Sequence, residues 1–457
     1  MFPVPAASAR PALVFLHALG SSRHAIDGVA AHLADRFDAL ALDLPGFGEA
    51  PAAVGTDVEA MVDHAARQLA GRLPARWLLV GHSMGGKIAS VLAARVLAGR
   101  KPLFGLSGIV LLAGSPPCPE PMAEDRREDM LSWVAGGRPL GEDAIRRFID
   151  ANVGEPLDSG DDARMRADLA RTDPQAWAAW LERGSREDWS EAVGVSPLPA
   201  LILAGCADGD LGVEGQRRTN ARVYPRARLE VLKGAGHLLP LERTAAVAEA
   251  IGRFWDEIAG REPAVPDEYV RLIASERVSA RTRSILAHRI LATAPAPVGG
   301  FLNETQRRTL RALAVRTVPQ DGPPIDLAAR VEEQIGQGRG DGWRPAVLPP
   351  DAQAYVQALD ALAGLEALEP QAQDRRIAEV AEGRFAPGGG LSAEQMAAWF
   401  EDARTDLVRQ WLAHPATMAR IGFDGFANGG DGLRKQGYDR LGAGEREAWE
   451  PVLEGAR

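Results

Sequence analysis

The sequence predicts an α/β protein: a doubly wound, mostly parallel sheet carrying a helical cap, followed by an all-α C-terminal region. Three observations predict it. From Pro11 to about Trp255, short apolar runs alternate with helix-like patterns, the arrangement that buries a parallel sheet on both faces. About 80 residues, rich in charge and of helical character, interrupt that alternation between positions 118 and 197. Beyond position 260 the apolar strand runs stop and helical patterns alone remain.

Taken in order, "PALVFLHALG" is an apolar run ending in glycine, and "HAIDGVAAHLADRF" has helical spacing. "FDALALDLPGFG" is a second run, stopped by Pro and Gly. "VEAMVDHAARQLAGRL" is helical, "ARWLLVGHSMGG" leads a strand into a turn, and "KIASVLAARVLAG" is a helix. "LSGIVLLAGSPP", "LPALILAGCADGD" and "ARLEVLKGAGH" complete six strands. The interruption at 118–197 reads as a cap with an apolar underside. Its Trp133, Trp177 and Trp180 are candidates for a pocket roof, although the same aromatics also suit packing of the cap onto the main domain.

Composition bounds the function. Of 457 residues, 46% are hydrophobic and 25% charged, as in ordinary globular proteins, and that length holds two or three domains. The net charge is −10 with no basic run, which argues against a nucleic-acid partner. Two cysteines make neither a disulfide framework nor a cysteine-rich metal site. No stretch approaches the ~18 apolar residues of a membrane span. The opening "MFPVPAASAR" lacks a basic leader, so a cytoplasmic protein is expected.

The chemistry centres on "GHSMGG", which places Gly81, Ser83 and Gly85 in a Gly-x-Ser-x-Gly turn between strand and helix. A serine hydroxyl needs a base to become nucleophilic. Only eight histidines are present, and His237 directly follows the last strand. An acid should follow an earlier strand; "LILAGCADGD" offers Asp208 and Asp210. The order is Ser, Asp, His.

The stretches "HALGSS", "DLPGFG", "GHSMGG", "AGCADGD" and "GAGHLLPLE" together resemble lidded α/β-hydrolases, a group of esterases, lactonases, thioesterases and C–C-bond hydrolases, over about residues 10–258. The resemblance implies that Ser83 is the nucleophile, His237 the general base and then acid, and Asp208 the residue orienting the imidazole. Asp208 is preferred because that family places its acid three residues after a glycine, here Gly205; Asp210 is the fallback. It implies an oxyanion hole from the backbone N–H groups of Leu19 and Met84. Ala18 stands where the family has glycine, and alanine does not cheaply adopt a positive φ. His17 and Asp43 read as structural loop residues, and Lys87 as surface or packing. No cofactor or metal is expected, and the substrate is a small acyl compound. A C–C hydrolase and a cofactor-free dioxygenase are alternatives on the same fold.

The boundary between an N-terminal domain (1–260) and a C-terminal one (261–457) is placed near 260–265. "DEYVRLIASERVSARTRSILAHRILA", "NETQRRTLRALAVRTV", "IDLAARVEEQIGQG", "AQAYVQALDALAGLEAL" and "AEQMAAWFEDARTDLVRQWLA" read as its helices. With "HPATMARIGFDGFANGGDG" and "GYDRLG", the region from about Phe301 resembles the gluconate 2-dehydrogenase subunit 3 family. That resemblance implies a GMC-type flavoprotein dehydrogenase as partner; a non-catalytic accessory subunit or chaperone of such an enzyme is the rival to the hydrolase reading. No twin-arginine signal precedes the chain's first strand. His288 and His414 lack metal-ligand spacing, and the glycines of "DGFANGGDGLRKQG" follow no strand and read as a structural turn. Trp399, Phe400, Trp411, Phe423 and Phe426 are candidates for either a docking face or a core.

Overall fold

A computed structural model describes residues 10–293, 300–340, 344–432 and 442–446. The leader reading of residues 1–9, the stretch "GYDRLG" up to residue 441 and the end of the glycine-rich segment lie outside them.

Six strands form one sheet: β1 (Ala12–Leu16), β2 (Asp38–Leu42), β3 (Trp77–His82), β4 (Leu106–Leu112), β5 (Ala200–Gly205) and β6 (Arg228–Leu232), in the order β2-β1-β3-β4-β5-β6. Every neighbouring pair is parallel. β1, β3, β4 and β5 are buried along their length, which is why they read as unbroken apolar runs. The strand order reverses between β1 and β3. In open parallel sheets, ligands bind beyond the carboxyl ends of the strands at such a point.

α1 (Asp27–His32) lies between β1 and β2, and α2 (Val58–Leu69), capped by Asp57, leads into β3. α3 (Met84–Leu97) follows β3 and is buried on almost every side. The cap consists of α4 (Glu124–Ser132), α5 (Glu142–Asn152), α6 (Ser159–Ala170), α7 (Pro174–Ala179) and α8 (Ser190–Val193). A π-helical turn, Trp180–Gly184, continues α7. Asp158 caps α6, and Asp173 before Pro174 caps α7, both common helix starts. α9 (Val213–Arg218) and α10 (Asn220–Val223) precede β6; α11 (Leu239–Glu242) and α12 (Thr244–Phe254) follow it.

Two compact units emerge: residues 1–291 together with 424–457, and residues 292–423. The first unit therefore includes α13 (Asp267–Ala274) and α14 (Ala280–Arg289). These two helices come from one run of helical pattern. It breaks at 275–279, where buried Arg283 gathers the carbonyls of Ile273, Ser275 and Val278 and also that of Gly99 after α3. The chain then returns: Gly429 and Gly430 N–H donate to the Arg277 carbonyl, and Phe426 meets Tyr269 edge-on.

The second unit is helical: α15 (Glu304–Thr317), α16 (Leu327–Gly336), α17 (Asp351–Ala361), α18 (Pro370–Ala381), α19 (Ala393–Ala413) and α20 (Pro415–Arg420). Capping boxes, Asn303 with Gln306 and Ser392 with Gln395, start α15 and α19. Trp399 and Phe400 sit in its core, Trp411 packs beside it, and Phe423 is exposed. His414 is buried and caps α20, while His288, in the first unit, bonds its own helix. Among the described residues no three His, Cys, Asp or Glu cluster as metal ligands, and no helix is long and apolar enough to cross a membrane.

Candidate active site

Ser83 is the single residue between β3 and α3. Its φ of 49° and ψ of −120° are sparsely populated for a residue with a side chain, a strain of about 1–3 kcal/mol. The surroundings hold it there. Ser83 N–H donates to the Leu112 carbonyl at 3.1 Å, and its own carbonyl accepts from Ser115 N–H at 2.9 Å. Gly85 N–H reaches the His17 carbonyl at 3.1 Å; a Cβ on Gly85 would collide with the Leu16 carbonyl, so glycine lets α3 cross β1 this closely.

Asp208 lies three residues past the end of β5, and His237 lies in the loop between β6 and α11. His237 Nδ1–H donates to Asp208 Oδ2 at 2.7 Å. The two loops touch backbone to backbone: a Cβ on Gly205 would strike the Gly236 carbonyl, and Ala207 N–H donates to the Ala235 carbonyl at 2.9 Å. Burial opposes charge on both partners, but each stabilises the other. The His237 pKa is raised by the charge and hydrogen bond of Asp208, and the Asp208 carboxyl is held below its usual value by His237. Asp210 instead faces Arg126 of α4 at 3.3 Å, so it is Asp208 that the structure brings to the histidine.

Further groups, not signalled by any motif, fix His237. Its N–H and that of Leu238 donate to the Asn152 carbonyl at the end of α5. Glu242 accepts from Gly236 N–H at 2.9 Å, from Leu238 N–H at 3.0 Å and from Gly154 N–H at 2.7 Å. Buried His82 Nε2–H donates to the His237 carbonyl at 2.8 Å, with the two rings 5.6 Å apart. Burial pulls the His82 pKa down to about 3, so it is neutral at ordinary pH.

Ser83, Asp208 and His237 line one cleft of about 520 Å³, part of it open to solvent. Ala18, Leu19, Met122, Met130, Phe148, Trp180, Leu211 and Leu238 give it an apolar wall, and Glu120, Arg126, Asn152 and Asp210 join the three as its polar members. Of the three expected roof residues, Trp180 lines the cleft. Trp133 and Trp177 do not, and this corrects the sequence expectation. Trp177 is fully buried, donates its indole N–H to the Met130 carbonyl at 3.1 Å and packs edge-on to Phe148. Trp133 lies on Trp177 at 6.2 Å, beneath the Arg147 guanidinium. Both hold the cap together.

Leu19 borders the cleft, and Met84 opens α3, where a helical N–H has no carbonyl one turn back to bond. Ala18 needs no positive φ, because Gly20 takes the turn with φ 70°. His17 serves the loops: Nδ1–H donates to the Ala18 carbonyl and Nε2 accepts Leu44 N–H at 2.9 Å. Asp43 accepts from Arg23 N–H and Glu49 N–H. Lys87 is fully buried within α3.

Residues 13–250 match the model of the "Alpha/beta hydrolase family". The chain belongs to that family. The biotin biosynthesis bifunctional protein BioHC of Teredinibacter turnerae is 28% identical over 273 residues, 55% of this chain and 46% of that protein, so the chain spans less than half of that relative's length. A pimeloyl-(acyl-carrier protein) methyl ester esterase of Neisseria meningitidis serogroup A is 29% identical over 256 residues, covering 54% of this chain and 78% of the esterase. Among solved structures, an esterase from Exiguobacterium antarcticum aligns with a TM-score of 0.47 at 19% identity, over 55% of this chain and 92% of the esterase.

Proposed function

We propose that the chain cleaves carboxylic esters, with lactones and thioesters as the related acyl substrates, through an acyl-enzyme on Ser83. The observation that carries this reading is the His237–Asp208 hydrogen bond of 2.7 Å in the same cleft as a strained, strand-end serine. With Nδ1 committed to Asp208, His237 Nε2 takes the Ser83 proton as Oγ attacks the acyl carbon. The N–H groups of Leu19 and Met84 receive the developing oxyanion. His237 then protonates the departing alcohol, and later removes a proton from the water that releases the acid. Met122, Met130, Phe148, Trp180, Leu211 and Leu238 suit an apolar acyl chain. The relatives named as methyl ester esterases support an ester of a small alcohol.

A fluorophosphonate probe tests the reading. Wild-type protein should be labelled at one serine and Ser83→Ala should not. Equal labelling of both, or none of wild type, overturns it.

The partner reading rests on the resemblance of the region from Phe301 to a dehydrogenase subunit. In it, residues 261–457 dock a GMC-type flavoprotein dehydrogenase in the cytoplasm, and the hydrolase opens the lactone its partner forms, helped by high local concentration. Co-purification of such a flavoprotein with the full chain is the expected result; its retention after residues 292–423 are removed would exclude a docking role for that unit.

A further inference from the structure

Lys87 is a buried cation that the proposed chemistry does not use. It lies one turn into α3, four residues after Ser83, and is wholly inaccessible. An ammonium in such a place needs an acceptor for each of its three hydrogens. It has three: the carbonyls of Gly184 and Ser185 at 3.1 Å each, and that of Glu187 at 2.8 Å. All belong to the segment that ends the π-helical turn after α7. Helix ends leave their last carbonyls without partners and carry partial negative charge, so a cation is the complementary group there. Arg127 of α4 closes the same turn from the other side, donating to the Leu181 carbonyl at 2.7 Å and to Ser185 Oγ.

That turn begins with Trp180, the tryptophan that lines the cleft. The Lys87 ammonium lies 5.8 Å from the centre of the Trp180 ring, within cation–π range. The ring also rests on Gly184, where a Cβ would come within 2.6 Å of the ring edge. One rigid helix thus carries both the oxyanion amide of Met84 and the group that anchors the opposite wall of the cleft.

We infer that Lys87 is a positioning residue that sets Trp180 at a fixed height over Ser83 and so determines which acyl chains the cleft accepts. The inference rests on the esterase reading. It assigns Lys87 no contact with substrate and no part in proton transfer. Burial lowers the Lys87 pKa to about 8 against the opposing pull of the Glu120, Glu187 and Asp188 carboxylates. Replacement by an uncharged residue removes the ammonium from the Gly184 and Glu187 carbonyls, while the Ser185 carbonyl keeps the Glu120 N–H at 2.8 Å.

The test uses the full chain and a series of p-nitrophenyl esters from acetate to decanoate. Lys87→Met should change the ratio of kcat/KM between the shortest and longest esters at least tenfold, chiefly through KM, with kcat for the preferred ester within about threefold. Lys87→Arg should restore part of the ratio. Gly184→Ala displaces the Trp180 ring while leaving the Lys87 side chain and the Gly184 carbonyl in place, and should shift the same ratio; it serves if Lys87→Met does not fold. In a Trp180→Ala background, Lys87→Met should alter the ratio less than twofold, since both changes act on one wall. A full-size Lys87→Met effect in that background, or a uniform fall in kcat across all esters, overturns the inference. Amide exchange of residues 180–190 reads the anchor without turnover. Exchange there must quicken in Lys87→Met while the rest of the first unit keeps its protection; unchanged exchange overturns the anchor even if no ester is cleaved. A wild type that takes no fluorophosphonate label overturns the esterase reading instead.

Discussion

The two compact units bury polar groups for different ends. In the first, Ser83, Asp208 and His237 stand at three strand ends and face a cleft. One is on strained backbone, and the other two shift each other's pKa. In the second, Asp406 accepts from Tyr355 Oη at 2.8 Å and Gln334 Nε2 at 3.2 Å and pairs with Arg409, beside a core built on Trp399. That network links α16, α17 and α19 to one another. The difference teaches that a buried carboxylate is not by itself a sign of chemistry; a strained nucleophile, a histidine and a shared cavity beside it are.

The comparison can be broken or sharpened by mutation. The largest effect is expected for Ser83→Ala, a loss of kcat on the order of 10⁶-fold, measured in single turnovers on an aryl ester. Asp208→Asn should cost about 10⁴-fold, while Asp210→Asn costs less than about tenfold; equal losses would mean that Arg126 is masking the true acid. The same pair tests the electrostatics. In the proposed reaction His237 acts as a neutral base, and its pKa is raised above 6.5 by Asp208, so the acid limb of kcat/KM should have its midpoint above pH 6.5. Without the carboxylate that limb moves to lower pH. A limb unmoved in Asp208→Asn would show that another group titrates.

In the second unit, Trp399→Ala should lower stability by about 3–5 kcal/mol, seen by denaturant unfolding, with kcat/KM on a soluble ester retained. His82→Phe removes the donor to the His237 carbonyl and should cost about 1–3 kcal/mol, split between stability and kcat because the histidine loop is loosened. The smallest effect belongs to exposed Phe423→Ser, within about 0.5 kcal/mol of wild type. A drop in dehydrogenase co-purification in that variant would make the exposed ring part of a docking face.

Much of the sheet was legible because its four inner strands are buried along their length and its apolar runs are bounded by glycines and prolines. All six apolar runs form strands, and the helical cap falls within the expected interval. The seat of Ser83 was legible for the same reason. A residue held at φ 49° between strand and helix demands small neighbours, and Gly81 and Gly85 advertise it. Trp177 and Trp180 were not separable. Three residues apart on one helical stretch, they have the same local pattern, yet Trp180 lines the cleft while Trp177 is buried against Met130 and Phe148. Neither His82 nor Glu242 could be assigned, since their partners are backbone groups that no side-chain motif records.

By itself the sequence determined the sheet, the serine turn and the set of residues from which a triad can be drawn, because strand burial and tight turns leave local marks in composition. Only the tertiary structure shows that Asp208 rather than Asp210 bonds His237, that Trp180 of the three tryptophans lines the cleft, and that Lys87 is interior. Those contacts join groups far apart in the chain, 29 residues for Asp208 and His237 and 97 for Lys87 and Gly184, and a local pattern carries no trace of them.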